Sequence, residues 1–317
     1  MSKRSTKIYK KCGINHKSVC VLGKKPIFEA HPYAVYLFTY AHDLQVWLQK
    51  QRHKMLRVGF VPTMGALHEG HLSLIDQAAQ TYDLVVCSIF VNPTQFNDAN
   101  DLAKYPRTPE RDIDLLLGAG AHAVYLPEVS DIYPADQDPE SFSFGRLETL
   151  LEGAHRPGHF AGVGMVVARL LRITEPDGLF LGEKDYQQCM IIASLLRQMH
   201  WEKRVKLHIC PTQREKSGLA MSSRNMRLSE KGLETAAHIY QVMQSCRERY
   251  DHFSPEQLAD WASHTLDALP DTRTEYVSFA DAQTLEPIVA WNESLRVRVL
   301  VAVQVEGVRL IDNAALF

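Results

Sequence analysis

The 317 residues carry 35 Lys and Arg against 37 Asp and Glu, for a formal net charge of −2, and 45% of them are hydrophobic. Eight of the basic residues and no acid lie in the first 28 positions, so the remainder stands at 27 basic against 37 acidic and has no charge signature of a nucleic-acid binder. The length allows a large core and two domains. No apolar run nears the roughly 20 residues of a membrane span, and the six scattered cysteines point to reduced thiols in a cytosol.

Residues 1 to 32 are basic, weakly patterned and broken by Gly13, Gly23, Pro26 and Pro32, and they read as a disordered arm. Ala41 to Arg52 reads as a helix feeding a central strand. That strand, Val58 to Val61, stops at Pro62. The chain then turns through Gly65, and Leu67, Leu72, Ile75 and Ala79 recur at helical spacing. The carboxyl end of a strand beside a helix amino terminus gathers unpaired N–H groups and the positive end of the helix dipole, which suits phosphate. His68 and His71 flank Gly70 at that helix start, so two imidazoles can face one anion. Taken alone, the pair could be surface histidines. The spacing is not that of a zinc helix, and no third ligand lies nearby in sequence.

Leu84 to Val91 is an almost continuous apolar run, as in a parallel strand covered on both faces, and it ends in Asn92-Pro93-Thr94-Gln95. Asn92 and Gln95 are polar groups delivered to the carboxyl edge of the sheet, or simply a turn. Pro109 to Leu117 reads as a helix and Ala123 to Leu126 as a short strand. The glycine-dense stretch from Leu151 to Gly164 reads as a loop lying close against another backbone or a ligand, with Arg156 and His159 as its polar groups; a helix follows from Met165 to Ile173. Gly178 to Leu181 is a strand running into Gly182-Glu183-Lys184-Asp185, where an ammonium can reach phosphate oxygens, and then into a helix from Cys189 to Met199. Val205 to Ile209 is the last strand of the alternating region.

From Pro211 the pattern changes. Met221-Ser222-Ser223-Arg224 sets two hydroxyls and a guanidinium in succession, a group suited to a triphosphate or to a helix cap with a surface arginine. Helices over Leu233 to Tyr250 and Pro255 to Leu269 follow, the second opened by a capping box at Ser254 and Gln257. Strands over Glu275 to Phe279, Leu295 to Val305 and Val308 to Ile311 complete an antiparallel sheet. The expected organisation is thus an arm over 1–32, an α/β domain over 33–210 with a Rossmann-like parallel sheet and helices on both faces, and a smaller α+β domain over 211–317.

An HxGH turn on the first strand–helix unit and a Ser-Ser-Arg loop after the last strand resemble the HIGH/KMSKS-type nucleotidyl transferase superfamily. The ordered motifs PTMGALHEGH, FVNPTQF, RPGHFAGV, GEKDYQQ and REKSGLAMSSRN resemble, more narrowly, the pantoate–β-alanine ligase family, from about residue 35 to the carboxyl terminus. Ser217, where the family commonly has Asp, and Gly164-Met165 depart from its pattern.

The resemblance implies ATP-dependent joining of (R)-pantoate to β-alanine through pantoyl adenylate, with release of AMP and pyrophosphate. It implies that Met64, Gly65, Ala66, Leu67, His68, Glu69, Gly70 and His71 wrap the ATP, with both histidines toward its phosphates and His71 as proton donor to the leaving group. Gly182, Glu183, Lys184 and Asp185 would hold adenosine and phosphate, Lys184 neutralising charge; Gln213 would meet adenine through its backbone; Met221, Ser222, Ser223 and Arg224 would close over the triphosphate. Gln95 and Gln188 would bind pantoate, with Gln95 also beside β-alanine and Asn92, Arg156 and His159 nearby. Mg²⁺ is implied on the ATP phosphates and not in a protein cage. A homodimer in the cytoplasm is implied, with neither nucleic acid nor membrane as partner. Because water must be kept from an acyl adenylate, the second domain is expected to act as a lid.

Overall fold

The computed structural model describes residues 19–22, 35–97, 99–137, 140–292 and 296–317. These form two compact units, the first taking the described residues up to Ser143 with Gly158–Leu181 and Ile192–Cys210, the second Phe144–Pro157, Gly182–Ile191 and Pro211–Phe317. The second unit therefore takes in two segments that precede residue 211, and each is fixed there by side chains buried in that unit, as set out below.

The first unit is built on a sheet ordered β1-β2-β5-β4-β3-β6-β7, with β1 (Val19–Leu22), β2 (Val35–Phe38), β3 (Val58–Thr63), β4 (Leu84–Ile89), β5 (Ala123–Tyr125), β6 (Gly178–Gly182) and β7 (Lys206–Cys210). The strands β2, β5, β4, β3 and β6 run parallel. One expectation is corrected here. Within the arm, Val19–Leu22 is a strand, paired antiparallel to β2 from Val19 opposite Phe38 to Leu22 opposite Val35. Its Val-Cys-Val-Leu sequence favours extended chain, and an edge strand offers the backbone groups it needs. The rest of the arm lies outside the described residues.

Every residue of β4 is buried, as are Val58, Phe60 and Val61 of β3, because the sheet is covered on both faces. Val61 shares a core with Leu74 and Ile75 of helix α2 (Glu69–Thr81) and with Ile113 and Leu116 of α3 (Pro109–Ala119). Its neighbour Phe60, equally buried, points the other way by the two-residue period of a strand. Helix α1 (Ala41–Arg52) has the bounds its sequence indicates, and Arg52 donates to the Thr174 carbonyl at 2.5 Å at the end of α4 (His159–Thr174). Strand order reverses between β3 and β6, the switch point where open α/β sheets take ligands. From there β3 runs into the HxGH turn and β6 into the GEKD turn.

The glycine-dense stretch is largely helical, not a loop. Leu151–His155 is a short helix, and α4 starts already at His159, so that Gly162 and Gly164 lie within it. The glycines serve close approach to backbone: a Cβ on Gly162 would sit 2.5 Å from the Thr94 carbonyl oxygen. Gly162→Ala is therefore expected to destabilise the protein by about 1–3 kcal/mol, lowering the midpoint of thermal unfolding. A raised midpoint would mean that the better helix propensity of alanine, worth about 1 kcal/mol, wins, and that the approach is looser than described.

In the second unit, helices α6 (Glu230–Arg249) and α7 (Pro255–Asp267) cover a three-stranded antiparallel sheet, β8 (Thr272–Asp281), β9 (Val297–Val305) and β10 (Val308–Ala315), ordered β10-β9-β8. Helix α5 (Tyr186–Gln198) begins in this unit at the residue after the GEKD turn. The apolar faces of α6 and α7 meet β9 in one core that includes Ile239, Met243, Leu258, Val299 and Val301. The capping box of α7 is present, with Ser254 Oγ accepting from Gln257 N–H at 3.2 Å and Gln257 Oε1 from Ser254 N–H at 3.0 Å.

Candidate active site

In the first unit the turn after β3 is held from below. Thr63 Oγ1 donates to the Ser88 carbonyl at 2.7 Å and accepts from Gly65 N–H at 3.2 Å. Gly65 (φ 81°) and Ala66 (φ 51°) both take left-handed backbone. A tight turn can point consecutive N–H groups to one place, and here the carboxylate of Asp112, from α3, fills it. Its Oδ2 accepts from Ala66 N–H at 2.9 Å and its Oδ1 from Leu67 N–H at 2.8 Å. Ala66 and Leu67 are themselves buried, so within the Met64–His71 stretch these two turn their side chains to the core and their N–H groups to Asp112.

The next residues cap α2. His68 is its N-cap, with Nδ1 accepting from Gly70 N–H at 3.2 Å, and His71 Nδ1 accepts from His68 N–H at 3.4 Å. The two rings lie 4.1 Å apart between centroids. A capping box usually made by Ser or Thr with Glu or Gln is here made by two histidines. Since each Nδ1 accepts, the proton of the neutral ring sits on Nε2 in both.

Beside this turn lies the FVNPTQF segment. Asn92 is buried, and its Nδ2 donates to Gln95 Oε1 and to the Gly162 carbonyl, each at 3.2 Å. Its Oδ1 accepts from Thr94 Oγ1 at 3.0 Å and from the Tyr133 hydroxyl at 2.9 Å. Asn92 thus fixes the Gln95 amide with its oxygen inward, and Gln95 Nε2 lies 3.1 Å from Met64 Sδ at the mouth of the HxGH turn. His159 Nδ1 donates to the Gln95 carbonyl at 2.7 Å, so its role in this unit is to hold the same segment. A cavity of about 820 Å³ opens here, lined among others by Met64, Gly65, Arg107, Asp112, Glu128 and Tyr133.

The remaining sequence-named groups belong to the second unit. Lys184 is largely buried, with Nζ 3.6 Å from Asp185 Oδ1, and the Asp185 carboxylate is half-exposed. Asn313 of β10 donates through Nδ2 to the Glu183 and Lys184 carbonyls at 3.0 and 2.8 Å, and its Oδ1 accepts from Arg298 Nη2 at 2.7 Å. Arg298 also reaches Glu183 Oε1 at 2.9 Å and lies over the Tyr186 ring at 4.1 Å. The adjacent Asp312 holds the other loop: both of its oxygens accept from Arg214, at 2.6 and 3.0 Å, and that guanidinium stacks on Tyr240. Burial pushes the Asp312 carboxyl up more strongly than Arg214 pulls it down.

Met221 N–H donates to the Gln213 carbonyl at 3.0 Å, closing the base of the SSRN loop. Ser222 caps the turn that follows, its Oγ accepting from Arg224 N–H at 3.2 Å, while Ser223 is buried. Of the two glutamines in GEKDYQQ, Gln187 is buried and donates to the Leu147 and Leu150 carbonyls, at 2.8 and 2.9 Å, whereas Gln188 is half-buried. Arg156 lies 4.0 Å from the carboxylate of Glu152.

A sequence profile described as pantoate-beta-alanine ligase matches residues 36–315. The chain belongs to the pantoate–β-alanine ligase family. Its sequence is 41% identical to the pantothenate synthetase of Porphyromonas gingivalis over 277 residues, 87% of this chain and 98% of that one. It is 43% identical to that of Bacteroides thetaiotaomicron over 273 residues, 86% and 95% of the two chains. The crystal structure of the Thermus thermophilus pantothenate synthetase aligns with a TM-score of 0.81 at 37% identity, covering 89% of this chain and 99% of its own. That of the Francisella tularensis pantoate-beta-alanine ligase, complexed with beta-gamma ATP and beta-alanine, aligns at 0.74 with 34% identity and covers 88% and 97%.

As a member of this ligase family, the chain carries its motifs on a parallel sheet with helices and a small antiparallel carboxyl-terminal sheet. Sequence reasoning missed the groups that hold those motifs: Asp112 under the HxGH turn, Asn313 and Arg298 under GEKD, and Asp312 under the SSRN loop. The available signal was an Asp and an Asn side by side in the last strand, Val308-Arg309-Leu310-Ile311-Asp312-Asn313-Ala314-Ala315, whose only other polar residue is Arg309.

Proposed function

We propose that the protein condenses (R)-pantoate with β-alanine at the expense of MgATP. A pantoate carboxylate oxygen attacks the α-phosphorus and pyrophosphate leaves; the amine of β-alanine then attacks the acyl carbon of the pantoyl adenylate, releasing AMP and a proton. The observation that carries this reading is local to the first unit. An amide fixed by Asn92, that of Gln95, meets Met64 at the start of the turn that presents His68 and His71. A site for a small hydroxy acid thereby adjoins groups suited to a nucleotide phosphate.

On this reading Gln95 Nε2 donates to pantoate, and Gln188 contributes a further contact. His68 and His71 meet the phosphates through Nε2–H, Lys184 and Arg224 neutralise charge that builds on the departing pyrophosphate, and Ser222 and Ser223 add hydroxyl donors. Ala66 and Leu67 contribute as the framework of the turn. Mg²⁺ enters as part of the nucleotide substrate. No cysteine or serine nucleophile is needed, since adenylation already supplies the leaving group. Burial pushes the Cys87 thiol up to about 12, which suits a packing role. A homodimer working in the cytoplasm completes the proposal; none of Cys87, Cys189, Cys210 and Cys246 is in a disulfide, as in a reducing compartment.

The test is AMP release by purified protein given MgATP and (R)-pantoate, with and without β-alanine. Steady turnover that needs all three substrates is expected. AMP absent with all three present, in protein that binds ATP, would sink the proposal.

A further inference from the structure

We propose that Asp112 is a positioning residue for the adenylation step, acting as an internal anion that occupies the nest where a glycine-rich loop would otherwise hold phosphate. The inference rests on the ligase reading above. Consecutive backbone N–H groups in a tight turn form an anion-binding concavity, and in phosphate-binding loops that concavity takes the nucleotide. Here the N–H groups of Ala66 and Leu67 close on the Asp112 carboxylate, at 2.9 and 2.8 Å. A third donor, Thr108 Oγ1, reaches Oδ1 at 3.1 Å. Asp112 is fully buried, and the turn is shaped around it: a Cβ on Gly65 would stand 3.0 Å from Oδ2, and Ala66 carries a positive φ that L-residues seldom adopt.

Two consequences follow for the reaction. The phosphates of ATP have no nest to enter at this turn, so side chains must meet their charge; the histidines, Lys184 and Arg224 are the family's motif residues of the right type. Those side chains then depend on the turn for their placement. His68 is the residue directly after Leu67, so a slip of the Leu67 N–H from Asp112 moves the N-cap of α2 and both imidazoles with it. A displacement of about 1 Å of a catalytic group costs about a hundredfold in rate.

Asp112 lines the cavity beside Met64 and Gly65, which gives a small carboxylate a way in once the side chain is removed. Asp112→Ala is expected to lower turnover of AMP about a hundredfold, and added formate, which supplies two acceptors of the same geometry, to restore it about tenfold or more while leaving wild type and His71→Ala unchanged. A purely structural loss would appear in the thermal midpoint and would not respond to formate. Turnover of Asp112→Ala within threefold of wild type, or a loss in folded protein that formate leaves untouched, would overturn the inference. If Asp112→Ala does not fold, Asp112→Asn carries the test, since it keeps the shape and turns one acceptor into a donor facing a donor. A folded Asp112→Asn about tenfold slower supports the inference, and one at wild-type turnover overturns it. Wild-type protein that forms no AMP under the same conditions would instead sink the ligase reading.

Discussion

Replacing His71 with alanine should cut AMP formation by about 10²–10³-fold, the range for losing one preorganised donor to developing charge, while the protein still unfolds within a few degrees of wild type. On the proposed reading the atom that does this is Nε2. His71 Nδ1 accepts from His68 N–H, so the proton available to a phosphate oxygen is on Nε2. The variant also loses one half of the histidine capping box, worth about 1 kcal/mol, a small loss for a chain of this size. Two further variants separate the ring atoms. His71→Gln places an amide donor near the Nε2 position and should recover part of the rate, whereas His71→Asn restores an acceptor near Nδ1 but its shorter amide holds its donor short of the Nε2 position, and it should behave like alanine. Initial rates of AMP release at saturating MgATP check all three. A fall of less than fivefold in His71→Ala would remove His71 from the proposed chemistry.

How far the sequence led can be judged on particular elements. The strand, turn and helix around HxGH were legible because Pro62, Gly65 and the spacing of Leu72, Ile75 and Ala79 are local signals, and so were the bounds of α1 and the Ser254–Gln257 cap. The stretch from Leu151 to Gly164 was legible as a close approach but not as helix, since glycine required by a packed neighbour looks in sequence like glycine required by a loop. The neighbour of Gly162 is the Thr94 backbone, far away in the chain. What was not legible is what holds the motifs. Asp112 stands 46 residues from Ala66, and Asn313 stands 129 from Lys184, so only the folded chain brings them together. Local pattern pointed to anion-seeking N–H groups at the start of α2; it could not show that the protein supplies its own anion to the two just before it, those of Ala66 and Leu67.

Arg309→Met should be the most damaging single change in the second unit, and its cost should shrink in acid. The Glu152 carboxylate accepts from both Nη atoms of Arg309, at 2.6 and 2.7 Å, and from the Tyr276 hydroxyl at 2.8 Å, while Arg309 Nε donates to Glu275 at 2.9 Å. Burial pushes the Glu152 and Glu275 carboxyls up, but the Arg309 guanidinium and the added hydrogen bonds outweigh it and hold both below the ordinary range. A carboxylate with a depressed folded pKa contributes stability that is complete above its unfolded value of about 4.3 and is lost as pH falls through the folded value. Methionine fills the space of the arginine stem but leaves the buried Glu152 with only the more distant Arg156 guanidinium, 4.0 Å away, and the half-buried Glu275 without its arginine; removing one partner of a buried pair costs about 3–5 kcal/mol. In the variant burial weighs more heavily on both carboxyls, against the Tyr276 hydrogen bond and Arg156 at Glu152 and the Gln304 hydrogen bond and His155 at Glu275, so protonation relieves the strain at a higher pH than in wild type. Thermal midpoints compared at about pH 7 and about pH 4 should therefore show a wide gap between variant and wild type that narrows in acid. A gap of equal width at both values would mean that Arg309 stabilises the unit by packing its stem and not by its charge.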